Sequence, residues 1–108
     1  MTKRYKLVKT DIRTWGNFKL YRIQALAPFE TKLGKVEKGD LGGYIESEKN
    51  LSQDGTAWVS GSAWVTGNAL VYENAHVSAN AWVADRAKVY GNAQVHGNEL
   101  ITGNSQIF

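Results

Sequence analysis

Residues 56–108 read TAWVSG, SAWVTG, NALVYE, NAHVSA, NAWVAD, RAKVYG, NAQVHG, NELITG and the shortened NSQIF, a gapless run of six-residue units. The fourth position is always Val or Ile: Val59, Val65, Val71, Val77, Val83, Val89, Val95, Ile101 and Ile107. The second is Ala from Ala57 to Ala93, and then becomes Glu99 and Ser105. Side chains alternate along a strand, so the second and fourth positions share one face. A small residue beside a β-branched one, always on the same side, describes a narrow apolar interior. Pairs such as Gly67-Asn68 and Gly91-Asn92 separate the units, and both residue types tolerate the positive φ of a sharp corner. Strands this short gain their backbone hydrogen bonds only by stacking coil on coil. An antiparallel meander would reverse at each turn and has no need of identical inward patterning on every segment. The pattern predicts an all-β fold built as a parallel β-helix.

Toward the N-terminus Ile45 and Leu51 keep the spacing of six, but Leu51 to Val59 is eight, so the repeat begins near Leu41 and carries a two-residue insertion around residues 53–55. The β-helix is therefore expected over 41–108 and a small N-terminal β cap over 1–40. Within the cap, Tyr5 to Lys9 and Phe18 to Leu26 read as strands, with Trp15-Gly16-Asn17 as the turn. Such a β-hairpin belongs over the open end of the solenoid, where a terminal coil exposes apolar core. At the other end, Glu99 and Ser105 make the interior more polar, and either Phe108 or a partner subunit is expected to cover it.

The Asn-Ala-x-Val-x-Gly units resemble those of the hexapeptide-repeat proteins, which implies three units per coil and a left-handed parallel β-helix of triangular section. Together with KGDLGGYIESEKNLS at 38–52, they are similar more narrowly to short phage- and prophage-encoded hexapeptide-repeat proteins, and the matches span about two-thirds of the chain. The architecture hosts acyltransferases, carbonic anhydrases and plain scaffolds, so the resemblance implies a fold more than a function. It also implies a homotrimer about an axis parallel to the coils.

With three units per coil, residues eighteen apart stack at roughly 4.8 Å. Face one then carries Trp58, His76 and Gln94 with Ser60, Ser78 and His96, and reads as polar. Face two carries Trp64, Trp82 and Leu100 with Thr66, Ala84 and Thr102, an apolar ladder aimed at solvent. Face three carries Leu70, Lys88 and Gln106 with Tyr72, Tyr90 and Phe108. An apolar ladder is costly to leave wet, so Trp64, Trp82, Leu100, Thr66 and Ala84 are the expected oligomer interface, with a planar ligand on Trp82 as the alternative cover. Both hold if a ligand lies in the cleft between subunits.

Arg86 takes a corner position that is Asn, Ser or Thr in every other unit, and Asp85 precedes it where Gly is usual. With Lys88, Tyr90 and Trp82 nearby, the corner suits a nucleotide-like anion, because guanidinium forks bind phosphate and aromatic rings stack on bases. The competing reading is that Asp85 and Arg86 pair with each other or across a trimer. Tyr72, His76 and His96 complete the candidate ligand-binding set. The two histidines, twenty apart, are expected to point outward on face one and nearly touch.

The 108 residues form one domain, and with no cysteine and two histidines neither a thiol nucleophile, a disulfide framework nor a metal site within one chain is expected. No cofactor and no catalytic residue is assigned. No apolar run reaches signal-peptide or membrane-span length, so a cytoplasmic protein without a membrane partner is expected, in the host cytoplasm if the phage resemblance holds. The net charge is +3, but residues 1–49 hold eleven Lys/Arg against six acids, a basic end whose lysines are too interspersed to track nucleic acid. Three functions follow: a non-catalytic oligomeric protein sequestering a small nucleotide-like anion, a structural assembly module, or a small acyltransferase with His76 or His96 as base. The phage resemblance favours the first, with a defence-signalling second messenger as one such ligand.

Overall fold

The computed structural model describes residues 3–31 and 34–108, and of Trp15 only the backbone. Two long strands, β1 (Tyr5–Trp15) and β2 (Phe18–Ala25), form an antiparallel hairpin that turns at Gly16. Two short strands follow, β3 (Phe29–Thr31) and β4 (Gly34–Val36), and then β5 (Leu41–Ile45), which enters the solenoid. The repeat contributes nine two-residue strands: β6 (Trp58–Val59), β7 (Trp64–Val65), β8 (Leu70–Val71), β9 (His76–Val77), β10 (Trp82–Val83), β11 (Lys88–Val89), β12 (Gln94–Val95), β13 (Leu100–Ile101) and β14 (Gln106–Ile107). The chain is an all-β solenoid of parallel stacked coils, as the repeat predicts.

Pairing is in steps of eighteen residues: Trp58 with His76 and Gln94, Trp64 with Trp82 and Leu100, Leu70 with Lys88 and Gln106. Three units make a coil, and the expected faces are the three sheets β6-β9-β12, β7-β10-β13 and β8-β11-β14. Backbone bonds such as Trp58 N to Ala75 O (3.0 Å) and Ser60 N to Val77 O (2.8 Å) join the coils. Ala57 to Ala93 and Val59 to Val95 are buried in one continuous core. In the first coil Ile45 pairs with Val65 and Leu51 with Val71, each twenty apart, which is the stated insertion of two residues.

The hairpin and β5 extend face two into the six-stranded order β1-β2-β5-β7-β10-β13. Tyr5, Ile23, Ala25 and Val36 join the solenoid core and close its upper end. A register break between Val8 and Ile12 bends β1 while β2 continues, and the outer half of the hairpin folds along face two. Arg22 reaches Asp11 (3.6 Å), and both Arg13 and Arg22 lie on the ring of Tyr44, at 5.0 and 5.4 Å.

Sixth-position corners adopt φ near +60° whether or not they hold glycine, as at Glu73, Ala79 and Asp85. Ala79 has no side-chain bond to offset that conformation, so Ala79→Gly is expected to raise stability by about 0.5–1 kcal/mol. Urea unfolding midpoints of the two proteins check this.

Among the described residues no helix is long and apolar enough to cross a membrane.

Candidate functional site

At the corner after face two, Asn68, Arg86 and Asn104 stand one above another at successive coils. The backbone of Arg86 obeys the ladder: Asn68 N bonds to Asp85 O (2.8 Å) and Arg86 N to Gly103 O (3.0 Å). Only the side chain departs from it. The Asp85 carboxylate accepts from Gly103 N at 2.9 Å, as Glu73 accepts from Gly91 N (2.9 Å) and Glu46 from Gly67 N (2.7 Å). Asp85 is thus one of three acids that tie a corner to the coil below. Its oxygen is committed to backbone, and the expected alternative, pairing with Arg86 within the chain, is not formed. The exposed Arg86 guanidinium has no hydrogen bond or ion pair among the described residues.

Arg86 lines a cleft of about 550 Å³ together with Trp82, Asn68, Asn104, the corner glycines Gly67 and Gly103, and Phe18 at the hairpin tip. A cleft of that volume is within the range of small-ligand sites. Trp82 is held in place from two sides. Its Nε1–H donates to Thr66 Oγ1 at 2.8 Å, and its ring meets Trp64 edge to face at 5.3 Å and 69°. Here a fixed aromatic wall, a second ring and an unspent guanidinium face one space, which suits a flat anion.

The other expected ligand-binding residues lie outside face two. Tyr72, Tyr90 and Phe108 stack down face three with centroids 5.1 and 5.3 Å apart, and Lys88 belongs to that sheet; none of these four lines the cleft. Thr66 and Ala84 are buried within the single chain, Trp64 and Trp82 are half-buried, and Leu100 remains 60% exposed. The chain's own hairpin therefore supplies part of the cover that face two was expected to find in a partner. The sequence reading missed Phe18, which the repeat period cannot place; its nearest signal was the hairpin turn at Gly16.

Face one is not the open polar face expected. Trp58 is only 2% exposed, packed edge-on against Phe29 (5.2 Å, 73°) and Tyr5 (6.5 Å, 71°). His76 below it is 5% exposed, its Nε2 lies 2.9 Å from Ser60 Oγ one coil above, and its buried Nδ1 has no partner among the described residues. His96, by contrast, is exposed on the lower coil, where its backbone N–H donates to Glu99. The segment β3–β4 lies beside the outward-facing His76, contributing Thr31, Gly34, Lys35 and Val36 to a cleft of about 350 Å³ there.

Burial holds the His76 imidazole below its ordinary pKa of 6.5. Among the described residues only Ser60 Oγ is there to compensate a buried imidazolium, which opposes the proton uptake a general base must perform. Because the folded value lies below the unfolded one, stability conferred by neutral His76 is present above about pH 6.5 and is lost as pH falls through the folded value. Urea midpoints are expected to fall more between pH 7.5 and 5 for the parent than for His76→Gln.

Much of the basic N-terminal charge has structural work. Arg4 donates to the carbonyls of Ser52 (2.6 Å), Gln53 (2.9 Å) and Ala57 (2.9 Å), while Lys3 pairs with Glu48 (3.0 Å) and Lys9 lies on Tyr21. Among the described residues no group of three His, Asp or Glu side chains is arranged to hold a metal. The fold and cleft define a β-solenoid protein with a hairpin-covered face. No protein-family model and no curated protein matches the chain.

Proposed function

We propose that this β-solenoid is a non-catalytic binding protein that sequesters a small, planar, nucleotide-like anion against Trp82 and Arg86. The observation that carries the reading is the unspent guanidinium of Arg86 in a cleft of about 550 Å³ walled by Trp82 and Phe18. An arginine in place of the corner asparagine serves no side-chain bond among the described residues, whereas Asp85 beside it does. Phosphate oxygens match the fork of its donors, and a base matches the aromatic wall. The phage resemblance is in keeping with a host signalling nucleotide as the ligand.

Self-association, with a trimer as the expected state, is the second part of the proposal. It is favoured by the exposure of Leu100 (60%) and Phe108 (80%) on the last coil. Sedimentation velocity is expected to give a trimer mass that Leu100→Lys lowers; a monomer at all concentrations would remove this part.

A thermal-shift screen against mono- and dinucleotides tests the binding reading. Stabilisation by at least one nucleotide, reduced in Arg86→Ala, is the expected outcome. No shift with any member of the panel would favour the assembly role alone.

A further inference from the structure

A second cleft of about 350 Å³ shares the wall of the first. It is lined by Arg13, Ser62, Trp64, Asn80, Ala81 and Trp82, so the Trp82 indole stands between the two spaces. Both lie along face two beside the folded-over hairpin, which contributes Arg13 to one and Phe18 to the other. The chain has four arginines, and they differ in how many acceptors they meet. Arg4 spends its guanidinium on three backbone carbonyls, and Arg22 on Gly42 O (3.0 Å) and Asp11 (3.6 Å). Arg86 has no such acceptor among the described residues, and Arg13 only rests its plane on the Tyr44 ring, leaving its N–H groups without a hydrogen bond or ion pair there. These two are the arginines that line the clefts on either side of Trp82.

We infer that the groove holds a two-headed anion, a dinucleotide, with one phosphate-bearing half on each side of Trp82, met by Arg86 on one side and Arg13 on the other. This rests on the binding reading above and narrows its ligand class. A mononucleotide satisfies one arginine and one cleft. A dinucleotide engages both, and the second contact is then made at the effective concentration set by the link, which multiplies affinity. Aromatic surface from Trp64 and Trp82 on one side, and from Trp82 and Phe18 on the other, gives each base a ring to lie against. Asp85, the one acid in the lining, has an oxygen held by Gly103 N and so opposes the anion less than a free carboxylate would.

Calorimetric titration of the full chain with AMP and with the linear 5′-phosphorylated dinucleotide pApA tests the inference. Binding of pApA is expected to be at least about tenfold tighter than that of AMP. Arg13→Ala should remove that advantage while leaving AMP affinity unchanged, and Arg86→Ala should weaken both ligands. Asn80→Asp, which puts a negative charge into the second cleft alone, should likewise weaken pApA and spare AMP even if Arg13→Ala disturbs the hairpin. Equal affinity for the two ligands, or a pApA advantage that survives both second-cleft variants, would overturn the two-sided groove and leave the binding reading standing. If neither ligand binds, the binding reading falls for this ligand class and the two-sided groove falls with it.

Discussion

Arg4→Met is expected to lower the free energy of unfolding by about 3–5 kcal/mol, since it strips a partly buried guanidinium from three carbonyls and leaves them unpaired. Lower in the solenoid each such carbonyl is satisfied by the coil above: Ala75 O accepts from Trp58 N and Ala93 O from His76 N. Ala57 belongs to the first coil, and Arg4 supplies the donor instead. It serves the carbonyls of Ser52 and Gln53 where the insertion begins as well, while its backbone N–H bonds to Gln53 Oε1 (2.7 Å) and its Cζ lies 4.8 Å from the centroid of the Phe29 ring. A drop in Tm of about 12 °C or more follows from that loss. Lys6→Ala, an exposed change in the same basic segment, should stay within about 0.5 kcal/mol. Urea denaturation of the pair separates positive charge that holds the fold from charge that does not.

Gly42→Val is the second large effect, with an expected loss of about 3 kcal/mol. A Cβ at Gly42 would sit 2.5 Å from Val59 O and 2.6 Å from Ile23 Cγ1, where β5 is squeezed between the cap and the first coil. The carbonyl is backbone and no rotamer change removes it. Gly97→Asn makes the contrast: a Cβ there meets nothing within 4 Å, and Asn tolerates the local φ of +67°. Circular-dichroism melts should show a marked fall for the first variant and little change for the second.

The fold was legible because one period governs half the chain. Val59 to Ile107 at the fourth position of every unit and Ala57 to Ala93 at the second specify an interior, and the break from Leu51 to Val59 marked the insertion beside which Arg4 binds. What period six cannot encode is antiparallel pairing outside it. The bend of β1 at the Val8 and Ile12 break, and the fold-over that brings Phe18 to Trp82, depend on long-range packing with no local signature. For the same reason β3 and β4 went unread, and with them the burial of Trp58 and His76. The Asp85–Arg86 corner was visible as an irregularity, but its two halves have different causes. Asp85 repeats the bond of Glu73, eighteen residues from the glycine it serves in both cases, a relation already present in the sequence. Arg86 has no such structural counterpart.

The regularity of the solenoid thereby isolates one side chain that the coil does not require. Arg86→Asn restores the column of Asn68 and Asn104, so it changes the corner to what the coil prefers. Paired calorimetry and thermal denaturation of this variant test the role of Arg86. A binding role for Arg86 predicts an unchanged or higher Tm together with a loss of nucleotide affinity of about tenfold or more, the worth of a charge-assisted pair. Full affinity in Arg86→Asn, or a collapse of stability without Arg86, would contradict it.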